Sequence, residues 1–260
     1  MTDAAALLRA YDDQARSAEW ASRDPEATVD RDGPVYRVSR PARPGFVAGA
    51  PDLGITGQKL DELIARQRDF FAARGQQFEW KTWGHDIPAD LPERLTRAGF
   101  EPDDRETVLI GRAEEMAAPV HLEDGITLRE TRDEADIRKA VASSSEAFGK
   151  DVGFLTDYLL GKKDDPDTVI VLAEAQDRVV SSARLEVVKG TEFAGLWGGS
   201  TLQEWRGKGI YRALIARRAE TALRRGVKYL QVDATEDSRP ILERLGFVAV
   251  TTTTGYVWKP

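Results

Sequence analysis

The chain has 260 residues, of which 41% are hydrophobic and 31% are charged, and its formal net charge at neutral pH is −7. This composition is typical of a soluble globular protein and excludes an intrinsically disordered chain. The acidic balance disfavours nucleic acid as a partner, because phosphate backbones would be repelled, and it would suit an amine substrate. A solubilising surface explains the same charge equally well.

The sequence contains no cysteine, and His85 and His121 are its two histidines. A disulfide, a Cys nucleophile and a thiolate metal site are therefore excluded, and a zinc site is disfavoured. No apolar run approaches the roughly 20 residues that a membrane-spanning helix needs, and the acidic start lacks the basic segment of a signal peptide. We therefore expect a cytoplasmic protein that binds no metal, no membrane and no nucleic acid.

Periodicity and glycine positions predict the elements of the N-terminal half. In chain order they are a helix at residues 4–22, strands at 35–39 and 45–50, a helix ending at Gly75, an aromatic strand with Phe78, Trp80 and Trp83, a short helix from Asp90 to Gly99, and a strand at 105–111. Residues 111–120 are polar, rich in alanine and interrupted by proline, which indicates a linker.

The C-terminal half has its own order of predicted elements. They are a strand at 125–131, helices at 133–149 and 153–161, a hairpin at 168–190 that turns at Gln176 and Asp177, a strand at 191–202, a helix ending at Gly226, a strand at 228–234, a short helix from Ser238 to Gly246, and two closing strands around Gly255. Strands and helices are interleaved, which predicts a mixed α/β domain.

The two halves also resemble each other. Residues 60–86 align without a gap with residues 211–237, and both segments contain Leu-Ile-Ala-Arg in a helix and Arg-Gly at its end. Further on, the Gly-Phe pair at residues 99–100 corresponds to the pair at residues 246–247. The shared order of helix, glycine, strand, helix, Gly-Phe and strand predicts a duplicated fold, with a chance match between two Ala- and Arg-rich helices as the alternative.

The sequence Arg-Gly-Lys-Gly stands directly before the helix of the second copy. Gly207 and Gly209 allow the backbone to turn and to approach a ligand, and the first N–H groups of a helix attract anions. Arg206, Lys208 and Arg212 add positive charge. The loop matches neither the Walker nor the Rossmann motif. By itself the loop favours a plain glycine turn, and the alternative is a backbone site for a phosphate-bearing cofactor other than an NTP with magnesium.

The segment LQEWRGKGIYRALI, with PILERLGF after it, resembles the GNAT (Gcn5-related) N-acetyltransferase family. The cofactor loop of that family reads Gln/Arg-x-x-Gly-x-Gly/Ala, and here it falls on Glu204, Gly207 and Gly209, so that Glu204 departs from the pattern. The element order of residues 121–260 agrees with the family's fold. The resemblance implies a mixed α/β sandwich of two tandem GNAT folds, with an abbreviated, degenerate first copy at residues 1–115 and an acetyltransferase domain at residues 116–260.

The resemblance implies acetyl-CoA as co-substrate. The cofactor-binding residues that it implies are Thr201, Leu202, Glu204, Arg206, Gly207, Lys208, Gly209, Ile210 and Tyr211. The diphosphate would bind the N–H groups of residues 207–211, and the pantetheine arm would pair with the strand around Leu202. Gly198 and Gly199 would leave room for the acyl group, or form a β-bulge. In the first copy the loop position holds Ile-Thr-Gly-Gln at residues 55–58, which indicates that this copy has lost the cofactor site.

The resemblance further implies direct transfer of an acetyl group to a primary amine of a small molecule or peptide, by a monomer or homodimer. The position of the family's usual tyrosine acid is taken by Leu242. Candidate bases are Glu186, Glu192, Asp233 and Glu236, and candidate acids are Tyr256 and Tyr211. For His85 a structural role is favoured. A larger acyl-CoA and a non-catalytic CoA-binding or regulatory module remain as alternatives, and the acceptor is left open.

Overall fold

The structure, a computed structural model, describes residues 3–16, 27–39 and 43–260. The strands are β1 (Thr28–Asp32), β2 (Val35–Ser39), β3 (Gly45–Gly49), β4 (Phe78–Trp83), β5 (Glu101–Pro102), β6 (Glu106–Arg112), β7 (Thr127–Thr131), β8 (Thr168–Ala175), β9 (Arg178–Val187), β10 (Phe193–Thr201), β11 (Tyr229–Ala234) and β12 (Val248–Trp258). The helices are α1 (Ala4–Ala10), α2 (Gly57–Ala72), α3 (Leu91–Arg97), α4 (Ala113–Met116), α5 (Glu134–Phe148), α6 (Leu155–Gly161), α7 (Ile210–Arg224) and α8 (Arg239–Arg244).

The chain divides into two compact units. The first unit contains Met1–Leu109, Asp233–Ile241 and Ala249–Pro260, and the second contains Ile110–Val232 and Leu242–Val248. These units reflect which residues pack together, and they do not show whether the two halves of the chain arose by duplication. The assignment of residues 1–115 and 116–260 to two copies of a domain therefore stays a prediction.

The sheet of the first unit has the strand order β1-β2-β3-β4-β12. The β3–β4 pair is parallel and the other pairs are antiparallel. Helix α2 buries Leu60, Leu63 and Phe71 at helical spacing in a hydrophobic cluster that includes β4 residues. Within it the ring of Phe71 stacks on that of Phe78, with 4.3 Å between the ring centroids.

The C-terminal strand differs from the prediction of two strands around Gly255, which was wrong. Residues 248–258 form one continuous strand, in which Gly255 lies opposite Lys81 of β4. Pairing with β4 keeps the backbone extended through the glycine. The missing side chain also makes room for a neighbour, because a Cβ on Gly255 would lie 2.8 Å from Oε1 of Glu79.

The sheet of the second unit has the order β11-β10-β9-β8-β7. The β10–β11 pair is parallel and the other pairs are antiparallel. The predicted hairpin turn is confirmed, since Gln176 and Asp177 have φ angles of +51° and +58°, as the turn of a two-residue hairpin requires.

Helix α5 shows how the sequence sets the helix ends of this unit. Asp133 accepts a hydrogen bond from the Asp136 N–H at its start, and Gly149 ends it with a φ angle of +64°. Its apolar face, which includes Ile137 and Val141, packs against residues of β8 and β9. The helix beginning near Asp133 was predicted from the same residues and is confirmed.

The repeated order of elements is also present. Helix α2, strand β4 and helix α3 follow one another in the first copy, as α7, β11 and α8 do in the second. Strand β1 was not predicted, and the predicted linker is shorter because β6 and α4 extend into it. The predicted helix at residues 4–22 is helical through residue 15, and its last residues lie outside those that the structure describes. Within the described ranges, no helix has the length and apolar character needed to cross a bilayer.

Candidate functional site

The glycine loop connects the end of β10 to the start of α7. Beyond Thr201 the chain makes a short 3-10 turn at Gln203–Trp205 and reaches Gly207 and Gly209, whose φ angles are +78° and +77°. Glycine adopts this left-handed conformation readily, whereas other residues are strained in it. Helix α7 then begins at Ile210, so both glycines are needed to bring the strand into the helix.

The N-terminus of α7 is accessible to a ligand. The first N–H groups of a helix have no partner inside the helix, and the N-cap residue Gly209 has no side chain to satisfy them. A Cβ placed on Gly207 or Gly209 would meet none of the described atoms within 4 Å. The loop therefore presents backbone N–H groups, at the positive end of the helix dipole, to a space that an anion can occupy.

Arg206 fixes the loop to its surroundings. Its guanidinium donates from Nε to the carbonyl of Thr201 and from Nη2 to the carbonyl of Ala147, both at 3.1 Å. Arg212 is exposed on the first turn of α7. Arg206 and Arg212 were both predicted to lie at this helix N-terminus, and both do. In addition, the hydrogen bonds of Arg206 hold the turn in place.

Two further cations near the loop are paired with carboxylates. Lys208 Nζ lies 3.1 Å from Glu123, and Arg178 Nη1 lies 3.4 Å from Glu204 while its Nη2 contacts Glu146 at 2.6 Å. Arg178 thus offsets part of the negative charge of Glu204, the residue that departs from the motif. Beside these pairs lies a cavity of about 250 Å³, whose lining includes Arg178, Glu204, Trp205 and Lys208.

Strand β10 separates from β11 before it reaches the loop. The parallel pairing joins residues 193–195 of β10 to residues 229–231 of β11. Further along, the register between β10 and β9 shifts between Trp197 and Ser200, which marks a β-bulge. One edge of β10 is therefore open over its last residues, so that an extended ligand can hydrogen-bond there.

Leu202 itself is already hydrogen-bonded on both backbone groups. Its N–H donates to the Val180 carbonyl at 3.0 Å, and its carbonyl accepts from the Trp205 N–H at 2.9 Å. Pantetheine pairing centred on Leu202 does not suit this arrangement. The bulged residues that precede it on β10 are the better placed partners.

The two glycines of the bulge have neighbours on their side-chain positions. A Cβ on Gly198 would lie 2.9 Å from Nη1 of Arg184, and a Cβ on Gly199 would lie 2.9 Å from the ring of Tyr211. Both the bulge and the close approach require glycine here. The volume left by these glycines is thus occupied by Arg184 and Tyr211.

Glu186 lies on the same face of β9 as Arg184. Its carboxylate accepts from Arg184 Nε at 2.7 Å and from the Tyr158 hydroxyl, which lies 3.1 Å from both oxygens. The whole residue is 8% exposed. Sequence reasoning selected Glu186 but missed Arg184 and Tyr158. Arg184 could have been found from the sequence, because residues 184 and 186 of a strand lie on the same face.

The other candidate bases and acids lie elsewhere. Glu192 precedes β10 at the end opposite to the loop and forms an ion pair with Lys228. Tyr256 belongs to the hydrophobic cluster of the first unit, and burial raises the pKa of its phenol. Burial likewise raises the pKa of Tyr211, against a smaller lowering by Arg218. Leu242 is fully buried and has no group that could carry a proton.

His85 is held by neighbours within the first unit. Its Nδ1 lies 2.8 Å from the Thr251 hydroxyl and its Nε2 lies 3.0 Å from the Asp12 carboxylate. Both ring nitrogens are thus engaged, which supports the structural role favoured from the sequence. Among the residues that the structure describes, no group of three or more His, Asp or Glu side chains is placed to hold a metal ion.

A second group of charged side chains lies in the first unit. Lys81 Nζ is 2.5 Å from Asp233 Oδ2, and these side chains are 9% and 2% exposed. The charges of Lys81, Asp233, Glu79 and Asp103 act on the nearby Glu106. Burial, reinforced by the neighbouring carboxylates and opposed by Lys81, raises the pKa of Glu106 from 4.5 to about 7.

Glu106 is expected to make the protein less stable as the pH rises. The folded state keeps the Glu106 proton to about pH 7 and the unfolded state releases it near 4.5, so the free energy of unfolding falls between these values. One pKa unit corresponds to 1.36 kcal/mol, and partial exposure of the side chain reduces its contribution. We therefore expect the free energy of unfolding to fall by about 1–2 kcal/mol. Urea unfolding at pH 5 and pH 8 measures it, and Glu106→Gln should lack this contribution. Glu93→Gln, on an exposed side chain, should behave as the wild type, and equal pH dependence in all three proteins would contradict the assignment.

Comparison with known proteins identifies relatives of this chain. Residues 135–247 match the family model described as the acetyltransferase (GNAT) family. No curated protein matches the sequence significantly.

Solved structures resemble the chain over nearly its whole length. A GCN5-related N-acetyltransferase from Kribbella flavida has a TM-score of 0.70 and 17% identity, covering 99% of this chain and 94% of its own. A GCN5-related N-acetyltransferase from Sphaerobacter thermophilus has a TM-score of 0.64 and 18% identity, covering 98% and 91%. A tandem GNAT protein from the clavulanic acid biosynthesis pathway has a TM-score of 0.64 and 14% identity, covering 99% and 96%. The predicted mixed α/β fold of the GNAT type is confirmed, and a tandem GNAT protein is among the matched structures.

Proposed function

We propose that the chain, whose residues 135–247 match the GNAT acetyltransferase family model, transfers an acetyl group from acetyl-CoA to a primary amine by direct attack. The observation that carries the proposal is the loop at Gly207 and Gly209, where uncapped N–H groups at the start of α7 face accessible space. Backbone N–H groups at a helix N-terminus suit a diphosphate.

Different residues of the loop would contact different parts of acetyl-CoA or hold the loop in place. The N–H groups from Gly207 to Tyr211 would hold the diphosphate, while Arg206 keeps the turn in place through its two carbonyl contacts. Lys208, now paired with Glu123, is within the same loop and would contribute positive charge. Ile210 is buried beneath the loop and Thr201 ends the strand that leads into it.

The open edge of β10 would receive the pantetheine arm. Strand β10 leaves β11 after residue 195 and bulges between residues 197 and 200, so its last residues can pair with an extended ligand. Arg184 and Tyr211 already fill the positions beside Gly198 and Gly199. This limits the space at the bulge and favours an acetyl group over a larger acyl group.

In the proposed reaction the nitrogen lone pair of the amine attacks the thioester carbonyl carbon, and the carbon–sulfur bond then breaks. The protein needs to accept a proton from the ammonium group, orient the reactants and supply a proton to the thiolate. Glu186 is the candidate base nearest the bulge, because Arg184 lies beside both, and its carboxylate already accepts hydrogen bonds from Arg184 and Tyr158. Tyr211, whose ring lies beside Gly199 and whose phenol has a pKa raised by burial, is closer to the bulge than Tyr256 and is the better candidate acid.

Thermal unfolding with and without acetyl-CoA tests the cofactor. A ligand at a hundred times its dissociation constant stabilises the folded state by about 2.7 kcal/mol, which raises the melting temperature of a chain of this size by several degrees. We expect this shift with acetyl-CoA and with CoA, and no shift with ATP or NAD. An unchanged melting temperature with acetyl-CoA would contradict the proposal.

A non-catalytic CoA-binding or regulatory module is the second candidate. It is favoured by Leu242, which is fully buried at the position of the family's usual acid. Release of free CoA thiol in the presence of a panel of primary amines separates the two functions. Binding of acetyl-CoA without amine-dependent thiol release would favour the module. The cytoplasmic location, and the choice between monomer and homodimer, stay predictions.

A further inference from the structure

The second unit contains a polar cavity at the end of α7 that is far from the glycine loop. Its volume is about 240 Å³, and it is lined by Glu130, Thr131, Arg132, Thr168, Val169 and Arg225. Strands β7 and β8 pair with Thr131 opposite Ile170, which brings the end of β7 beside the start of β8. All the lining residues belong to the same compact unit.

Helix α7 separates this cavity from the glycine loop. The loop precedes Ile210, the first residue of the helix, and Arg225 follows the last of its 15 residues. At about 1.5 Å per residue, the helix spans about 22 Å. A ligand in the cavity would therefore not contact the loop, and its binding is independent of the proposed function.

Two guanidinium groups at the cavity have no partner. The side chains of Arg132 and Arg225 are exposed, and neither forms a hydrogen bond or an ion pair with a residue that the structure describes. Each guanidinium keeps its positive charge at any physiological pH and carries five N–H donors. Two such charges on one small cavity repel each other, so an anion between them would be stabilised.

A buried hydroxyl gives an independent indication of a ligand. Thr168 is 6% exposed, and its hydroxyl makes no hydrogen bond within the described part of the chain. The hydroxyl of Thr131, in contrast, donates to Asp136 at 2.9 Å and accepts from the Asp133 N–H at 3.1 Å. Buried hydroxyl groups are normally hydrogen-bonded. We therefore expect the partner of Thr168 to be a ligand in the cavity.

The carboxylate in the cavity lining is offset by its own partners. Glu130 Oε1 lies 3.3 Å from Arg217 Nε and 3.6 Å from Arg224 Nη2. It also accepts a hydrogen bond from the Thr221 hydroxyl at 3.0 Å. The charge of Glu130 is thus shared between two arginines on α7, which leaves the guanidinium groups of Arg132 and Arg225 for a ligand.

The carboxylates that adjoin the lining residues in sequence are engaged elsewhere. Asp133 accepts from the Asp136 N–H at the start of α5, and Asp167 lies 3.4 Å from Lys189. Neither forms an ion pair with an arginine of the cavity. The donors that face the cavity are therefore not taken up by these side chains.

We infer that this cavity binds a phosphate group through Arg132, Arg225 and Thr168. Arginine donates pairs of hydrogen bonds to phosphate oxygens, and the Thr168 hydroxyl adds a donor from β8. A phosphate dianion would offset both guanidinium charges, whereas a carboxylate would offset only one. Cavities for drug-sized ligands begin at about 300 Å³, so the smaller volume here suits inorganic phosphate or a small phosphate ester.

Stabilisation of the helix C-terminus is the competing explanation for Arg225, because cations there interact favourably with the helix dipole. That explanation predicts a change in stability on substitution and no saturable binding of phosphate. It also assigns no role to Arg132 or to the hydroxyl of Thr168. A binding measurement therefore separates the two explanations.

The test is calorimetric titration of the intact protein with inorganic phosphate at pH 8 and constant ionic strength. We expect saturable binding to the wild type and about tenfold weaker binding to Arg132→Gln and to Arg225→Gln, since each loses hydrogen bonds to a charged group. Thr168→Val, which removes only the hydroxyl, should weaken binding by about threefold or more. Arg97→Gln, an exposed arginine of the first unit, loses the same charge and should bind as the wild type does.

The glycine loop could also bind phosphate, so the Gly207→Ala, Gly209→Ala double variant is titrated in parallel and should keep the wild-type affinity. Absence of saturable binding, equal affinity in the wild type and both arginine variants, or loss of binding in the double glycine variant alone would overturn the site. Acetate that binds as tightly as phosphate would also contradict the assignment. Glycerol 3-phosphate identifies the source, because tighter binding than inorganic phosphate indicates an ester and weaker binding indicates the free ion.

Discussion

Replacing Gly207 and Gly209 together by alanine is expected to weaken acetyl-CoA binding about a hundredfold while leaving the protein folded. Both residues have φ angles near +78°, and an L-residue in that conformation costs roughly 1–2 kcal/mol. The loop would relax toward another conformation, and its N–H groups would no longer converge on one anion. Loss of two hydrogen bonds to a charged group, at roughly 1.5 kcal/mol each, corresponds to about a hundredfold in affinity. Calorimetric titration with acetyl-CoA measures this change.

A matched control lies at the corresponding helix start of the first unit. Gly57 also has a positive φ angle, +58°, and a Cβ there would meet none of the described atoms within 4 Å. Gly57→Ala should therefore cost similar stability per residue while acetyl-CoA affinity stays at the wild-type value. A folded Gly207/Gly209 double variant that binds acetyl-CoA normally would refute the cofactor site. Weaker binding in Gly57→Ala would refute the claim that the first copy has lost its site.

Replacing Lys81 by methionine is expected to lower the free energy of unfolding by about 3–5 kcal/mol, because it leaves a buried carboxylate without its counterion. The Asp233 side chain is 2% exposed and is held by Lys81 at 2.5 Å. Methionine has nearly the volume of the lysine stem and leaves no large cavity. The loss of stability would therefore come from removing the positive charge. Urea unfolding at pH 8 measures the difference.

The double variant Lys81→Met with Asp233→Leu should recover most of that loss, since no charge of the pair is then stranded. The exposed pair of Lys163 and Glu134, also 2.5 Å apart but 32% and 57% exposed, provides the comparison. Lys163→Met should lower the free energy of unfolding far less than Lys81→Met, because water screens an exposed pair. If both lysine variants lose the same stability, the Lys81–Asp233 pair is not a buried ion pair in solution.

Features that depend on neighbouring residues could be predicted from the sequence. The hairpin turn at Gln176 and Asp177, the start of α5 at Asp133 and its end at Gly149 all follow from local backbone preferences. The glycine loop was identified in the same way, because its two positive φ angles and the following helix are set within a few residues.

Features that depend on strand register could not be predicted. Lys81 and Asp233 are 152 residues apart, and only the pairing of the sheet brings them together. The partners of Glu186, Arg184 and Tyr158, likewise depend on how α6 lies over β9. Strand β12 runs unbroken through Gly255 because it pairs with β4. The local sequence alone does not reveal this pairing.

The return of β12 to the first unit determines when that unit can be finished during synthesis. Strand β4 emerges from the ribosome early, but its neighbour β12 ends at Trp258 of a 260-residue chain. At about 5–20 residues per second, the ribosome takes roughly ten to thirty-five seconds to add the residues between them. Throughout that time β4 presents an unpaired edge, the kind of surface that recruits other chains. The nascent protein thus depends on protection of that edge until β12 has been made, in a way that the folded protein does not.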